Sequence, residues 1–412
     1  MKKKLRILFI VGSFPTLSQT FIVNQIIHLL RQGHDVKIIA KNHTKNSIQE
    51  QVEKYELLKH THYVEIPENL VKRLILTIKT LLASKRNFRW KLIQSFNPLL
   101  YKRQAVNLVA FFKVCWTLKF PNNFDIVHTH FAYNTDLFFM AKKAGFLQDA
   151  KLITSFHGFD MVPSDVTKNK KRYKELFDNQ TLLTTNNEYG KFLIQKIKPG
   201  YSNISILPVS LDTALFEPKT IEGNNTFRIV FCGRLTYWKG PHLVVEIANQ
   251  LINNRKIRNI EFEIIGDGEE RIKLERLIEE YNLRKFINVH GALTQGEIKQ
   301  IFNKSKIFVL PGLTDKNGRA ETQGLVVQEA QAMALPVLVS DAGGAKYGLQ
   351  HNETGYVLPE GDVSQFCNKI EYLITNPLFR MEMGQKGRDF VVQNFDIQVL
   401  GEKLEEIYYQ NI

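Results

Sequence analysis

Along the 412-residue chain, short apolar runs ending in small or polar residues alternate with helical patterns. That alternation predicts β-α-β units, because strands buried on both faces by crossover helices read as brief apolar runs rather than as alternating ones. In the first half the runs fall at 5–11, 35–40, 126–130, 152–156, 182–185 and 204–207. In the second half they fall at 228–232, 260–265, 287–290, 307–310, 337–340 and 355–358. The polar stretch 217–226, with one Pro, one Gly and two Asn, suits a linker between the two sets. The expected class is therefore α/β with doubly wound domains at 1–220 and 221–395, followed by a helix within 396–412. The chain is long enough for two cores. Ligands bind at the carboxyl ends of parallel strands, so the expected active site lies in a central cleft between the domains.

Composition narrows the classes. Three cysteines at wide spacing, Cys115, Cys232 and Cys367, suggest neither a disulfide framework nor a zinc site and fit a reducing cytoplasm. The first residues read as a buried strand rather than a secretory signal, since Arg6 interrupts a short apolar run and no cleavage site follows. No run of about 18 apolar residues occurs, so any membrane contact is expected to be peripheral.

The net charge of +14 is concentrated: segment 66–120 holds eleven Lys or Arg against one acid, Glu68. The same segment carries Phe88, Trp90, Phe96, Tyr101, Phe111, Phe112 and Trp116. An interfacial pair of helices on an anionic membrane and a solvated basic face both fit this composition. Nucleic-acid binding ranks last, because no recognition motif accompanies the charge.

Chemistry concentrates after the second-half strands. Glu321 and Glu329 stand eight residues apart in Glu-Thr-Gln-Gly-Leu-Val-Val-Gln-Glu, Glu321 in a loop and Glu329 about two turns into a helix. Main-chain amides of 323–326 at that helix start form a site for an anion or hydroxyl, and a carboxylate beside them is suited to sugar hydroxyls. Arg234 and Lys239 flank one strand-to-helix loop, which suits a diphosphate grip. Gly266 and Gly268 form a second turn of the kind that admits a base or ribose. Val11-Gly12-Ser13 follows the first strand without G-x-G-x-x-G, which disfavours a nicotinamide enzyme. His128, His130 and His157 close strands of the first sheet. No D-x-D occurs, so the usual carboxylate pair for a metal on a donor diphosphate is missing, and no metal site is expected.

Together these residues, most specifically Glu-x7-Glu and the region from Phe231 to Gly355, resemble the retaining glycosyltransferases of GT-B fold. These belong to the glycogen-synthase-like family 4 group and build bacterial capsules, exopolysaccharides and glycolipids. The resemblance implies two Rossmann-like domains facing a cleft, with the last helix crossing back onto the first. It implies that Arg234 and Lys239 bind the donor diphosphate and Glu329 the ribose. Glu321, with the backbone of Gln323, Gly324 and Leu325, would hold the transferred sugar. Gly12 and Ser13 would form a glycine loop over the phosphates, and His157 of His-Gly-x-Asp would contact the sugar near its reacting carbon. The sequence departs from that pattern at Gln323, Ala334 and Tyr347, where an aromatic residue, a glycine and a glutamate are usual.

The expected activity is metal-independent sugar transfer, with a nucleotide-sugar donor as substrate, no cofactor and a lipid-linked or glycan acceptor. The expected place is the cytoplasmic face of the membrane. Two other readings remain at this stage: a nucleotide-sugar epimerase of the same fold, and a non-enzymatic protein that binds polyanions or membranes.

Overall fold

A computed structural model of the protein describes residues 3–16, 19–44, 50–120, 123–219 and 226–412. Seven strands form the first sheet: β1 (Arg6–Phe14), β2 (Asp35–His43), β3 (Thr61–Tyr63), β4 (Ile126–His130), β5 (Lys151–Phe156), β6 (Leu182–Thr185) and β7 (Ile204–Ile206). Their order is β3-β2-β1-β4-β5-β6-β7. The second sheet contains β8 (Phe227–Cys232), β9 (Ile260–Ile265), β10 (Ile287–Gly291), β11 (Ile307–Leu310), β12 (Val337–Ser340) and β13 (Gly355–Leu358), in the order β10-β9-β8-β11-β12-β13. Each named strand pair is parallel. β4, β6, β11 and β12 are buried at every position, as covered sheets require. The fold is α/β with two Rossmann-like domains.

Two differences from the sequence reading matter. The three-residue β3 is an edge strand too short and too polar to register as an apolar run. β1 runs on through Gly12 and Ser13 to Phe14, pairing Ser13 with Asn42 and Phe14 with His43. Ladder pairing with an equally long β2 therefore keeps Gly12 and Ser13 in a strand instead of a loop. The linker at 217–226 has its centre, 220–225, outside the described residues.

The chain passes between the sheets twice, and the two passages are hydrogen-bonded. Leu211 N–H donates to Phe395 C=O (3.0 Å), and Ile397 N–H donates to Leu211 C=O (3.0 Å). Asp396 accepts from the Thr213 hydroxyl at 2.6 Å and caps the last helix, Ile397–Tyr409, through Gln398 N–H. That helix packs on Thr20–Arg31 of the first domain. A Cβ at Gly401 would lie 2.2 Å from the His28 ring, so glycine permits the close crossing. Glu405 then meets His28 (3.4 Å) and His34 (2.6 Å). Leu5 N–H donates to His34 Nδ1, which leaves the Nε2 proton to face Glu405.

Candidate active site

A cavity of about 230 Å³ lies between the domains. The first domain contributes His157, Gly158, Phe159 and Tyr189, and the second contributes Arg234, Trp238, Lys239, Arg319, Glu321 and Thr322. All the second-domain groups come from two strand ends. Arg234, Trp238 and Lys239 sit in the turn after β8, and Arg319, Glu321 and Thr322 in the loop after β11, both at carboxyl ends of parallel strands.

Lys239 Nζ pairs with a Glu321 carboxylate oxygen. Burial raises the Glu321 pKa, but Lys239 and the amides of Gln323 and Thr322 outweigh it and hold the carboxyl below its ordinary range. Glu321 is thus an anion at neutral pH, able to accept sugar hydroxyls. Glu329 behaves oppositely: burial, only partly offset by Lys239, pushes its carboxyl up to about 7. Arg234 is exposed and spans two aromatic faces, Phe159 at 5.4 Å and Trp238 at 5.9 Å, while Arg319 stacks on Trp238 at 4.9 Å.

On the opposite wall, His157 Nε2 lies 2.9 Å from His130 Nδ1, and its ring stacks on His130. Burial drives His157 down to about 3, so it is neutral and a poor base near neutrality. His128 is occupied by Tyr408 on one nitrogen and Ser155 on the other, both at 2.7 Å, which makes it a structural tie to the last helix. The His157 carbonyl, a candidate support for the sugar, already accepts from the Thr322 hydroxyl at 3.2 Å across the cleft. Asn187 closes the same seam by donating to the carbonyls of Thr322 (2.6 Å) and Gly344 (3.2 Å).

The expected donor residues are therefore only partly gathered. His157, Arg234, Lys239 and Glu321 share the cavity; Gly12, Ser13, Gly266, Gln323, Gly324, Leu325 and Glu329 do not line it. Gly12 faces Asn134 and Tyr133, as its place in β1 dictates. Gly266 serves chain packing: a Cβ there would lie 1.9 Å from the Gly233 carbonyl oxygen, so glycine is what lets the β8 and β9 turns touch. Gln323 does not present its side chain to the cleft. It is buried, accepting from Val209 N–H at 2.8 Å and donating to Val209 C=O at 2.9 Å, while its amide donates to Glu321. An aromatic ring there would forfeit both bonds to the passage between domains.

Gly324 precedes the Leu325–Ala332 helix with φ of 73°, and the helix's first amides, from Leu325 onward, lack intrahelical partners by geometry. Glu329 is the fifth helical residue, just over one turn in rather than two. Ala334 takes φ of 55°, the left-handed conformation that a glycine there would adopt without strain.

Sequence reasoning did not single out Arg319, Tyr189 or Asn187. Arg319, two residues before Glu321, had a local signal; Tyr189 and Asn187 had none, because they reach the cleft from the first domain.

Residues 213–390 match the family model described as glycosyl transferases group 1. The chain carries a group 1 glycosyltransferase domain. That domain spans the Arg234, Lys239, Glu321 and Glu329 positions. Relatives align well beyond it: the putative colanic acid biosynthesis glycosyltransferase WcaL of Escherichia coli is 26% identical over 97% of this chain and 98% of its own. The amylovoran biosynthesis glycosyltransferase AmsK of Erwinia amylovora is 29% identical over 87% of this chain and 88% of its own. Among solved structures, a Rickettsia africae glycosyltransferase superposes with a TM-score of 0.72 at 20% identity, covering 99% of both chains. Anabaena HepE, crystallised with UDP, superposes with a TM-score of 0.71 at 15% identity, covering 98% of this chain and 100% of its own. The group 1 domain is thus the second half of a GT-B fold.

The basic segment is also partly corrected by the structure. Phe96 stacks on Phe111 and Phe88 on Phe146, and Trp116 is only 2% exposed, so these aromatics are core rather than interfacial. Arg89 donates to the carbonyls of Leu82 and Ser84, and Lys91 lies over the Phe146 ring. What faces outward is the Leu70–Ala83 helix, where Leu70, Val71, Leu74, Ile75, Ile78 and Leu82 are each about half exposed or more. Trp90, at 64%, is exposed nearby in sequence. No helix of the described residues is long and apolar enough to cross a membrane.

Proposed function

We propose that the protein is a retaining, metal-independent glycosyltransferase. It moves a sugar from a UDP- or GDP-linked donor to a lipid-linked or polysaccharide acceptor in cell-surface glycan synthesis. The observation that carries this reading is the Lys239–Glu321 pair with Arg234 at one edge of an interdomain cavity and neutral His157 at the other. A fixed anion suits sugar hydroxyls, and the two cations suit a departing diphosphate. The names of relatives in colanic acid and amylovoran biosynthesis support the same reading. So does a UDP-Gal:alpha-D-GlcNAc-diphosphoundecaprenol galactosyltransferase of Escherichia coli, 26% identical over 69% of this chain and 75% of its own.

In this mechanism the bond from the anomeric carbon to the donor phosphate breaks. The acceptor oxygen bonds to the same face of that carbon, and its proton passes to the leaving phosphate oxygen. Arg234, Lys239 and the first amides of Leu325–Ala332 stabilise the charge that develops there. Each preorganised donor contributes about 3 kcal/mol in comparable sites. His157 packs beside the sugar without taking a proton. The exposed apolar row of Leu70–Ala83, with exposed Lys72 and Lys79 on the same helix, supports peripheral contact with the anionic cytoplasmic face of a membrane.

A panel of UDP-, GDP- and ADP-sugars scored by thermal shift tests the reading, because a ligand of the folded state raises apparent stability. Stabilisation by one nucleotide series, lost on Arg234→Ala, is expected. Indifference to all three would overturn it.

A further inference from the structure

The first domain holds a second cavity, of about 510 Å³, built without any residue of the second domain. Its wall carries Lys41, Lys102, Lys143 and Arg172, opposed by Asp136 and Glu175. Asp136 already serves two lysines, Lys41 at 2.6 Å and Lys113 at 3.0 Å, and Glu175 pairs with Lys143 at 2.7 Å. With Lys113 included, five cations meet two anions, so the cavity has a standing excess of positive charge that a bound anion would neutralise. Lys41 is held there against desolvation, which lowers its pKa, by Asp136.

This cavity adjoins the reaction cavity through one side chain. Asp160 accepts from Ala132 N–H, on the wall of the second cavity, at 2.9 Å, and from His157 N–H, on the wall of the first, at 3.0 Å. Its mouth also carries apolar surface. Leu100 lines it at 40% exposure, and the adjacent Leu99 is 89% exposed. Arg73 of the Leu70–Ala83 helix donates to the Asn107 carbonyl, tying the exposed apolar helix to the same stretch of chain.

We propose that this second cavity binds the phosphate or diphosphate headgroup of a lipid-linked acceptor, with the lipid leaving past Leu99 and Leu100. The proposal rests on the transferase reading and names the acceptor class for it. Cations match the headgroup, while the rim matches an apolar chain. The position, bridged to His157 by Asp160 and on the domain opposite the donor cations, leaves the acceptor's sugar free to enter the reaction cavity.

The test is calorimetric titration of the full chain with farnesyl diphosphate as a soluble probe, in the presence of a saturating nucleoside diphosphate. Inorganic diphosphate serves as the second arm. The parent should bind farnesyl diphosphate more tightly than inorganic diphosphate. The double variant Lys102→Gln with Arg172→Gln should weaken probe binding by at least about tenfold while nucleotide binding stays within about twofold. Unchanged nucleotide binding also shows that the variant is folded. Equal probe binding by parent and variant, or competition with the nucleotide, overturns the assignment. Equal affinity for the two diphosphates overturns its lipid part. Nucleotide sugars that bind without any binding of farnesyl diphosphate remove the pocket and leave the transferase reading standing. Probe binding that depends on Lys102 and Arg172, with no nucleotide sugar bound, does the reverse.

Discussion

Lys239 and Glu321 reach each other from different strand ends and form an ion pair whose side chains are only 13% and 15% exposed. Lys239 helps keep Glu321 charged in a place where burial alone would discharge it, so this wall of the cavity is electrostatically set before any ligand arrives.

Removing one partner of that pair is expected to hurt twice. Arg234→Ala, at an exposed position, should cost roughly 2 to 4 kcal/mol of transition-state stabilisation with Tm unchanged. Lys239→Ala should lose similar activity and also several degrees of Tm, because Glu321 is left buried and unpaired. Lys239→Ala combined with Glu321→Gln should recover Tm without recovering turnover. Nucleoside diphosphate release and thermal melts read both effects, and normal turnover in Arg234→Ala would remove it from the diphosphate grip.

The product should keep the donor's anomeric configuration, and turnover should survive EDTA. Proton NMR of the anomeric signal at early times checks the first, and assay after chelation the second. An inverted product would exclude front-face transfer.

Glu329→Gln should stabilise the apo protein while weakening nucleotide binding. The Glu329 carboxyl is raised to about 7 from an ordinary 4.5. The folded state therefore binds the extra proton between those values, and stability from this group falls as pH rises through that window. The variant should lose this slope and melt roughly 2 °C or more above the parent at pH 8. Melts from pH 5 to 8, with nucleotide titration at pH 8, test both halves.

Glu405 carries the opposite sign. Burial raises its pKa, but bonds from His34 and His28 outweigh that and hold it below the ordinary 4.5. Its contribution is present above 4.5 and disappears as pH falls through the lower folded value. Glu405→Ala should cost about 3 kcal/mol at pH 7 by leaving two buried imidazoles without their acceptor, and the loss should shrink in acid. Denaturant melts at pH 7 and pH 4 measure it.

Membrane contact should depend on the apolar helix face more than on the basic aromatics. Ile75→Glu with Ile78→Glu should abolish flotation with anionic vesicles, and raised salt should weaken the parent's binding by screening Lys72 and Lys79. Equal flotation of parent and variant would assign the binding elsewhere.

The sequence by itself determined the two sheets. Ten of the thirteen strands among the described residues carried an apolar run whose ends lay within a residue of the observed bounds, because strands covered on both faces must be apolar throughout. β1 and β2 were both read three residues short, since their last pairs, Ser13 with Asn42 and Phe14 with His43, depend on each other, and β3 was not legible at all. That Arg234, Lys239 and Glu321 fall close together was legible too, because each follows a strand of one domain and its spacing is local, whereas Glu329 lies inside the next helix and does not line the cavity. What only the tertiary structure decided is everything that pairs residues far apart in the chain. Gln323 turned from the cleft to Val209, Thr322 took the His157 carbonyl, Trp116 went into the core, and the Leu70–Ala83 helix kept its apolar face outside. Periodicity tells which face of a helix is apolar, but whether that face is covered depends on which other elements arrive, and that is a property of the packed chain.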